Sequence, residues 1–170
     1  MDFNKSKTKE NLARAFAGIC QDGARYQFIS KSASSEGYEY ISNELKSIAI
    51  NKMAHASVLY KLMLDKIEGY KDNVNIEAGY PFENYKLSTS LASSAEIEKI
   101  LTLICEVNLK NAQKIESLAE MFDSGSLYSA EKEIEWECSN CGHYENKKDA
   151  WENCPLCGYP QGYVKIKNNS

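Results

Sequence analysis

The chain has 170 residues, 43% hydrophobic and 26% charged, with a formal net charge of -4 and a pI near 5.3. That length allows one or two small domains. The acidic balance leaves no electrostatic footprint for nucleic acid, and no apolar run approaches the roughly 18 residues that a membrane span requires. The charged start around Lys5, Lys7 and Lys9 has no apolar run behind it, so no signal peptide is expected. It reads as a solvated helix entry.

The three prolines are Pro81, Pro155 and Pro160, so the first 80 residues contain no proline break. Apolar residues recur in steps of three and four at Leu12, Phe16, Ile19, Gly23, Tyr26 and Ala33, which predicts a helix over about 6–34. Ser34-Ser35-Glu36-Gly37 breaks it. A second stripe, Ile41, Leu45, Ile48, Lys52, His55, Leu59 and Leu62, predicts a helix over about 37–67. A third helix either starts at Pro81 or is kinked there, with Glu83, Leu87 and Leu91 inward. The fourth, over about 95–123, turns Ile97, Leu101, Ile104, Asn108, Asn111, Ile115 and Leu118 inward. Four amphipathic helices with short turns predict an antiparallel four-helix bundle over 1–125. Cys20 and Cys105 each lie one residue past the inner stripe and read as small core fillers. A faint internal repeat pairs Ala17-Gly18 with Ala78-Gly79, as expected of a bundle made from two hairpins.

A linker over 126–133 leads to a second domain over 134–170, built on two C-x-x-C pairs, Cys138/Cys141 and Cys154/Cys157. Each pair is followed by glycine, and twelve residues separate them. Such a turn aims two thiolates at one ion, and amides near the glycine can donate to the sulfurs. Four thiolates suit zinc or a single iron. Two disulfides are the competing reading, but the spacing is that of a metal knuckle and a reducing cytoplasm is the expected compartment. Trp136 and Trp151 are expected to cover the metal, and His143 to lie at the surface.

With these residues in view, the chain resembles the rubrerythrin family over nearly its whole length. The resemblance rests on N-L-A-R-A-F-A-G-I-C-Q-D-G-A-R-Y-Q-F at Asn11–Phe28, E-G-Y-E-Y-I at Glu36–Ile41 and His55-Ala56. In the tail it rests on C-P-x-C-G-x-P at Cys154–Pro160. It implies a mainly α fold, a ferritin-like four-helix bundle carrying a carboxylate di-iron centre. A small rubredoxin-like four-cysteine module follows and feeds that centre electrons. It further implies NADH-linked peroxide reduction in the cytoplasm of oxygen-sensitive microbes. Dimers are expected, in which one chain's tail approaches the other's bundle.

The ligand positions depart from that pattern. The glutamate expected after Ala-Gly on the first helix falls on Ile19, and the one three residues before His55 falls on Lys52. On the third helix one glutamate falls on Tyr80, while the other is kept as Glu83. The last Glu-x-x-His pair falls on Asn108 and Asn111. One glutamate, one imidazole and a lysine cannot offset the charge of two iron ions. The bundle is therefore expected to lack a di-iron centre. Lys52 is expected to stand where a metal would, paired with Glu83 and flanked by His55, Asn108 and Asn111. Three readings stay open: an electron-transfer protein with one iron, a zinc-binding structural or interaction protein, and an atypical di-iron peroxidase. The partners expected are a second copy or an intact relative in a mixed dimer, and a redox protein. Nucleic acid and membrane are not expected.

Overall fold

The computed structural model describes residues 7–66 and 94–167. Three long helices come first: α1 (Lys7–Ser35), α2 (Glu39–Lys66) and α3 (Ser94–Asp123). A small sheet follows, of β1 (Ser129–Cys138), β2 (Tyr144–Asp149) and β3 (Val164–Ile166), with a 3-10 turn at Gln161–Tyr163 before the last strand. The helix limits agree with the apolar periodicity to within about two residues. The predicted third helix, with Tyr80 and Glu83, lies outside the described residues. None of the described helices is long and apolar enough to cross a membrane.

The break between α1 and α2 is a helix C-cap. The Gly37 amide donates to the Ser34 carbonyl and the Tyr38 amide to the Ala33 carbonyl, with Gly37 at φ +87°. That pattern needs a left-handed residue, which glycine adopts without a Cβ penalty. The end of α3 repeats it, with Gly125 and Ser126 donating to Phe122 and Met121.

The described residues of Met1–Ala24 and Ile50–Asn108 make one compact unit, and those of Arg25–Ala49 and Leu109–Ser170 another. The first is centred on Leu12 and Ile19 of α1, Ala56, Leu59, Leu62 and Met63 of α2, and Ile97 and Ile104 of α3. All but Ala56 and Met63 are the stripe positions read from the sequence, and each fully buried leucine contributes about 1.5–3 kcal/mol. In the second unit α1 and α2 are joined by a buried hydroxyl pair. Ser30 Oγ donates to the Ser42 carbonyl at 2.9 Å and meets Ser42 Oγ at 3.0 Å. Tyr38 there meets Phe122 of α3 edge to face, with ring centroids 5.3 Å apart.

The sheet has the order β2-β1-β3 and is antiparallel throughout. Trp136 lies opposite Glu145 on one side and Ile166 on the other, which sets Trp136 and Cys138 on the inner face. Their alternation with Glu135 and Glu137 is the period-two pattern of a half-buried strand. β1 begins at Ser129, so five of the eight residues expected as linker are strand, with a register shift between Ser129 and Ile134. Cys105 is exposed, contrary to its reading as a core filler. One residue past Ile104, the helix has already turned about a quarter of a revolution from the core. Cys20 does pack against the helical core.

Candidate metal centre

Both knuckles are the same local structure. The Cys138 amide donates to the His143 carbonyl at 2.8 Å, and the Gly142 amide returns to the Cys138 carbonyl at 2.8 Å. In the second, the Cys154 amide donates to the Tyr159 carbonyl at 2.7 Å and the Gly158 amide to the Cys154 carbonyl at 2.8 Å. Gly142 and Gly158 sit at φ +74° and +75°. A side chain at either position would strain the turn that brings its two thiols together.

The four sulfurs all lie within 4.8 Å of one another. Cys138 Sγ is 3.8 Å from Cys157 Sγ, and Cys141 Sγ is 3.7 Å from Cys154 Sγ. A tetrahedral ion with bonds of about 2.3 Å to sulfur requires neighbouring sulfurs roughly 3.8 Å apart. Separations near 3.7–3.8 Å are too long for disulfides, whose S–S bond is about 2.05 Å, and all six cysteines are free. The donor set therefore fits a tetrathiolate metal.

Hydrogen-bond donors surround the sulfurs. The amides of Cys141 and Asn140 serve Cys138, the amide of His143 serves Cys141, and the amide of Tyr159 serves Cys157. The Asn140 side chain reaches across to Cys157 Sγ at 3.6 Å. The Tyr159 amide, followed by Asn140 and two neighbouring thiols, brings the Cys157 thiol down to about 6. At Cys141 the His143 amide acts downward. Desolvation and the other three thiols outweigh it and push that thiol up to about 12.

Cys138 and Cys154 are buried, Cys157 is half-buried and Cys141 exposed, so the centre has an inner edge and an edge at the surface. The inner edge belongs to a second core of Trp136, Cys138, Ala150, Trp151, Cys154 and Val164. Trp136 is fully buried and donates through Nε1 to the Lys147 carbonyl at 3.1 Å. Both tryptophans thus belong to the core that also holds Cys138 and Cys154. His143 is not the plain surface residue expected. Its Nε2 is buried, and its ring lies 5.2 Å from that of Trp151.

Of the helical positions singled out in the sequence, Ile19 and Lys52 are buried, and His55, Asn108 and Asn111 are half-buried. Ile19 is buried in the apolar core beside Ala56, Leu59 and Ile104. Lys52 is buried, at 6% exposure. Its ammonium pairs with Asp22 Oδ2 at 3.1 Å. Glu83, the partner expected from sequence, lies outside the described residues. Asp22 was missed, although its place three residues after Ile19 puts it beside the inner stripe. α1 and α2 pack closely here: a Cβ at Gly23 would meet Met53 Sδ at 3.2 Å and the Lys52 Cβ at an ordinary contact distance of 3.5 Å. His55 lies one turn beyond Lys52. Burial, and next the Lys52 charge, lower its pKa from the usual 6.5. His55 Nδ1, Asn108 Oδ1 and Asn111 Nδ2 are buried, with no hydrogen-bond partner among the described residues. The ion pair described for Lys52 is thus with Asp22, a residue outside the expected network. Among the described residues, the four cysteines are the one cluster of histidine, cysteine or carboxylate groups placed to hold a metal ion.

A mainly helical chain ending in a four-cysteine knuckle module defines a class, the helical-bundle metalloproteins with a tetrathiolate tail. The family model described as Rubrerythrin matches residues 10–133. Three curated rubrerythrins are similar over almost the whole chain. The protein of Clostridium perfringens is 30% identical, over 95% of this chain and 94% of its own length. That of Porphyromonas gingivalis is 29% identical, over 96% and 92%. Rubrerythrin-1 of Clostridium acetobutylicum is 30% identical, over 95% and 94%. The chain belongs to the rubrerythrin family.

Proposed function

We propose that the four cysteines hold one iron ion and that the protein passes single electrons through it, as an accessory of peroxide defence in the cytoplasm. Bound iron would supply a one-electron ferric–ferrous couple. Cys138, Cys141, Cys154 and Cys157 would hold it. The amides at Asn140, Cys141, His143 and Tyr159 stabilise the thiolate charge. Cys141 and Cys157, at the accessible edge, would give a redox protein its approach. The observation that carries this reading is the set of four sulfurs at tetrahedral spacing, ringed by N–H donors.

In the same reading the bundle has lost its di-iron centre. Ile19 is closed into the apolar core, and an ammonium occupies the Lys52 position with Asp22 beside it. A buried cation there opposes a second cation electrostatically. The chain then depends on a partner for any peroxide reduction. An intact relative in a mixed dimer fits that need, and a homodimer is the alternative assembly.

Anaerobic redox titration tests the proposal. Uptake of one electron per chain, with a red oxidised form that bleaches on reduction, is the expected result. A colourless protein that takes up no electrons, even when made with iron in excess, would instead favour zinc and a structural or interaction role. Peroxide turnover by the purified chain without any relative would overturn the loss of the bundle centre.

A further inference from the structure

The 3-10 turn at Gln161–Tyr163 is held by both knuckles. The Ser139 amide and Oγ, one residue past Cys138, both donate to the Tyr163 carbonyl, at 2.8 and 2.7 Å. From the second knuckle, Asn153 is bridged to Pro160, and the Tyr159 ring stands edge-on to that of Tyr163 at 4.7 Å. On its other side the turn rests on the cap between α1 and α2. Gly162 is buried, and a Cβ there would overlap the Gly37 carbonyl oxygen. That Cβ would also come within 2.9 Å of the Gly37 carbonyl carbon and 3.4 Å of the Glu39 amide nitrogen. Two backbones meet here with no side chain between them.

The neighbouring residues extend the contact. Tyr163 lies within electrostatic reach of Glu39, and Tyr128 within reach of Tyr38. Tyr38 itself packs on Phe122. A tail that merely hung from a linker would need neither the glycine at 162 nor the aromatic neighbours.

We propose that metal occupancy of the four cysteines is transmitted to the α1–α2 cap through the contact of Gly162 with Gly37. With metal bound, the knuckles fix Ser139, Pro160 and hence Tyr163, which seats Gly162 on the cap. Without it, the knuckles lose their common anchor, and the small module, whose fold depends on the ion, releases the cap. The end of the helical hairpin thereby reports whether the tail is loaded. This rests on the cysteines holding a metal of either kind, not on the redox role proposed above.

Hydrogen exchange on the full chain tests it, comparing zinc-loaded protein with chelator-stripped, reduced protein. The amides of Gly37, Tyr38 and Ser42 should exchange about 5- to 150-fold faster without zinc, the usual range of coupling between sites. Those of Leu12–Asp22 should change little and serve as the reference. Equal exchange at the cap in both states would overturn the proposal. In Gly162→Ala the metal dependence of the cap should vanish, and a variant that keeps it would show that the route lies elsewhere. A Co2+ absorption spectrum reports loading independently, so failure of metal binding is distinguishable from failure of transmission. Should Gly162→Ala bind no Co2+, the wild-type comparison decides alone.

Discussion

At the scale of single residues, the Lys52–Asp22 pair is the sharpest feature of the helical region, and its two members are not equivalent. The Lys52 side chain is 7% exposed and that of Asp22 is 42% exposed. Removing Asp22 strands a buried ammonium, whereas removing Lys52 leaves a carboxylate that water already reaches. Asp22→Ala should therefore destabilise the chain by up to about 3–5 kcal/mol. Lys52→Met, which replaces the charge with an apolar chain of similar length, should cost under about 1.5 kcal/mol or stabilise. Urea denaturation of the two variants checks this, and equal losses would contradict the assignment.

His55 adds a pH dependence whose sign follows from its environment. Its pKa is lowered below 6.5 by burial and by Lys52. Between that lowered value and 6.5 the unfolded chain binds a proton that the folded chain refuses. The neutral ring's contribution is complete above pH 6.5 and is lost as the pH falls toward the folded value. Thermal midpoints should fall on acidification through this window, and less so in His55→Gln.

At the scale of elements, helices were legible and their polar occupants only partly so. Periodicity located α1, α2 and α3 because each buries one stripe, and burial of a stripe is a local property of sequence. It also set Lys52 inward. The partner of Lys52 depends on which residue of another helix faces it, and that is set by how α1 and α2 pack together, which no spacing rule reveals. Cys105 was misread for a related reason, since a single step along a helix carries a residue out of the core. In the tail, the knuckle spacing alone gave the four sulfurs. The strand before them was taken for linker because Ser129-Ala130-Glu131-Lys132-Glu133 shows no apolar alternation. Its pairing is supplied by β2.

Two predictions belong to this scale. Cys138→Ser, or removal of the metal, should unfold most of 129–167 while α1, α2 and α3 stay helical, because the tail core is built on Cys138 and Cys154 themselves. Circular dichroism with tryptophan fluorescence reads both parts at once. Trp136 and Trp151 should become solvent-exposed while the helical signal largely persists. Gly37→Ala forces an alanine into a left-handed conformation at φ +87° and should cost about 1–2 kcal/mol, measured by the same denaturation.

At the scale of the whole molecule, the chain keeps the family's two parts but not, in our reading, its two metal centres. That reading starts from the sequence, where cysteine pairs are counted directly and each expected ligand position can be compared with the residue that stands there. It could not choose iron over zinc, since four thiolates at tetrahedral spacing accept both. The central claim is that the tail carries the chain's iron and the bundle carries none. Metal analysis of protein purified without oxygen from iron-replete cells tests it most directly. About one iron per chain is predicted, the capacity of one tetrathiolate. About three per chain, the tail's ion plus a carboxylate pair within the bundle, would contradict it.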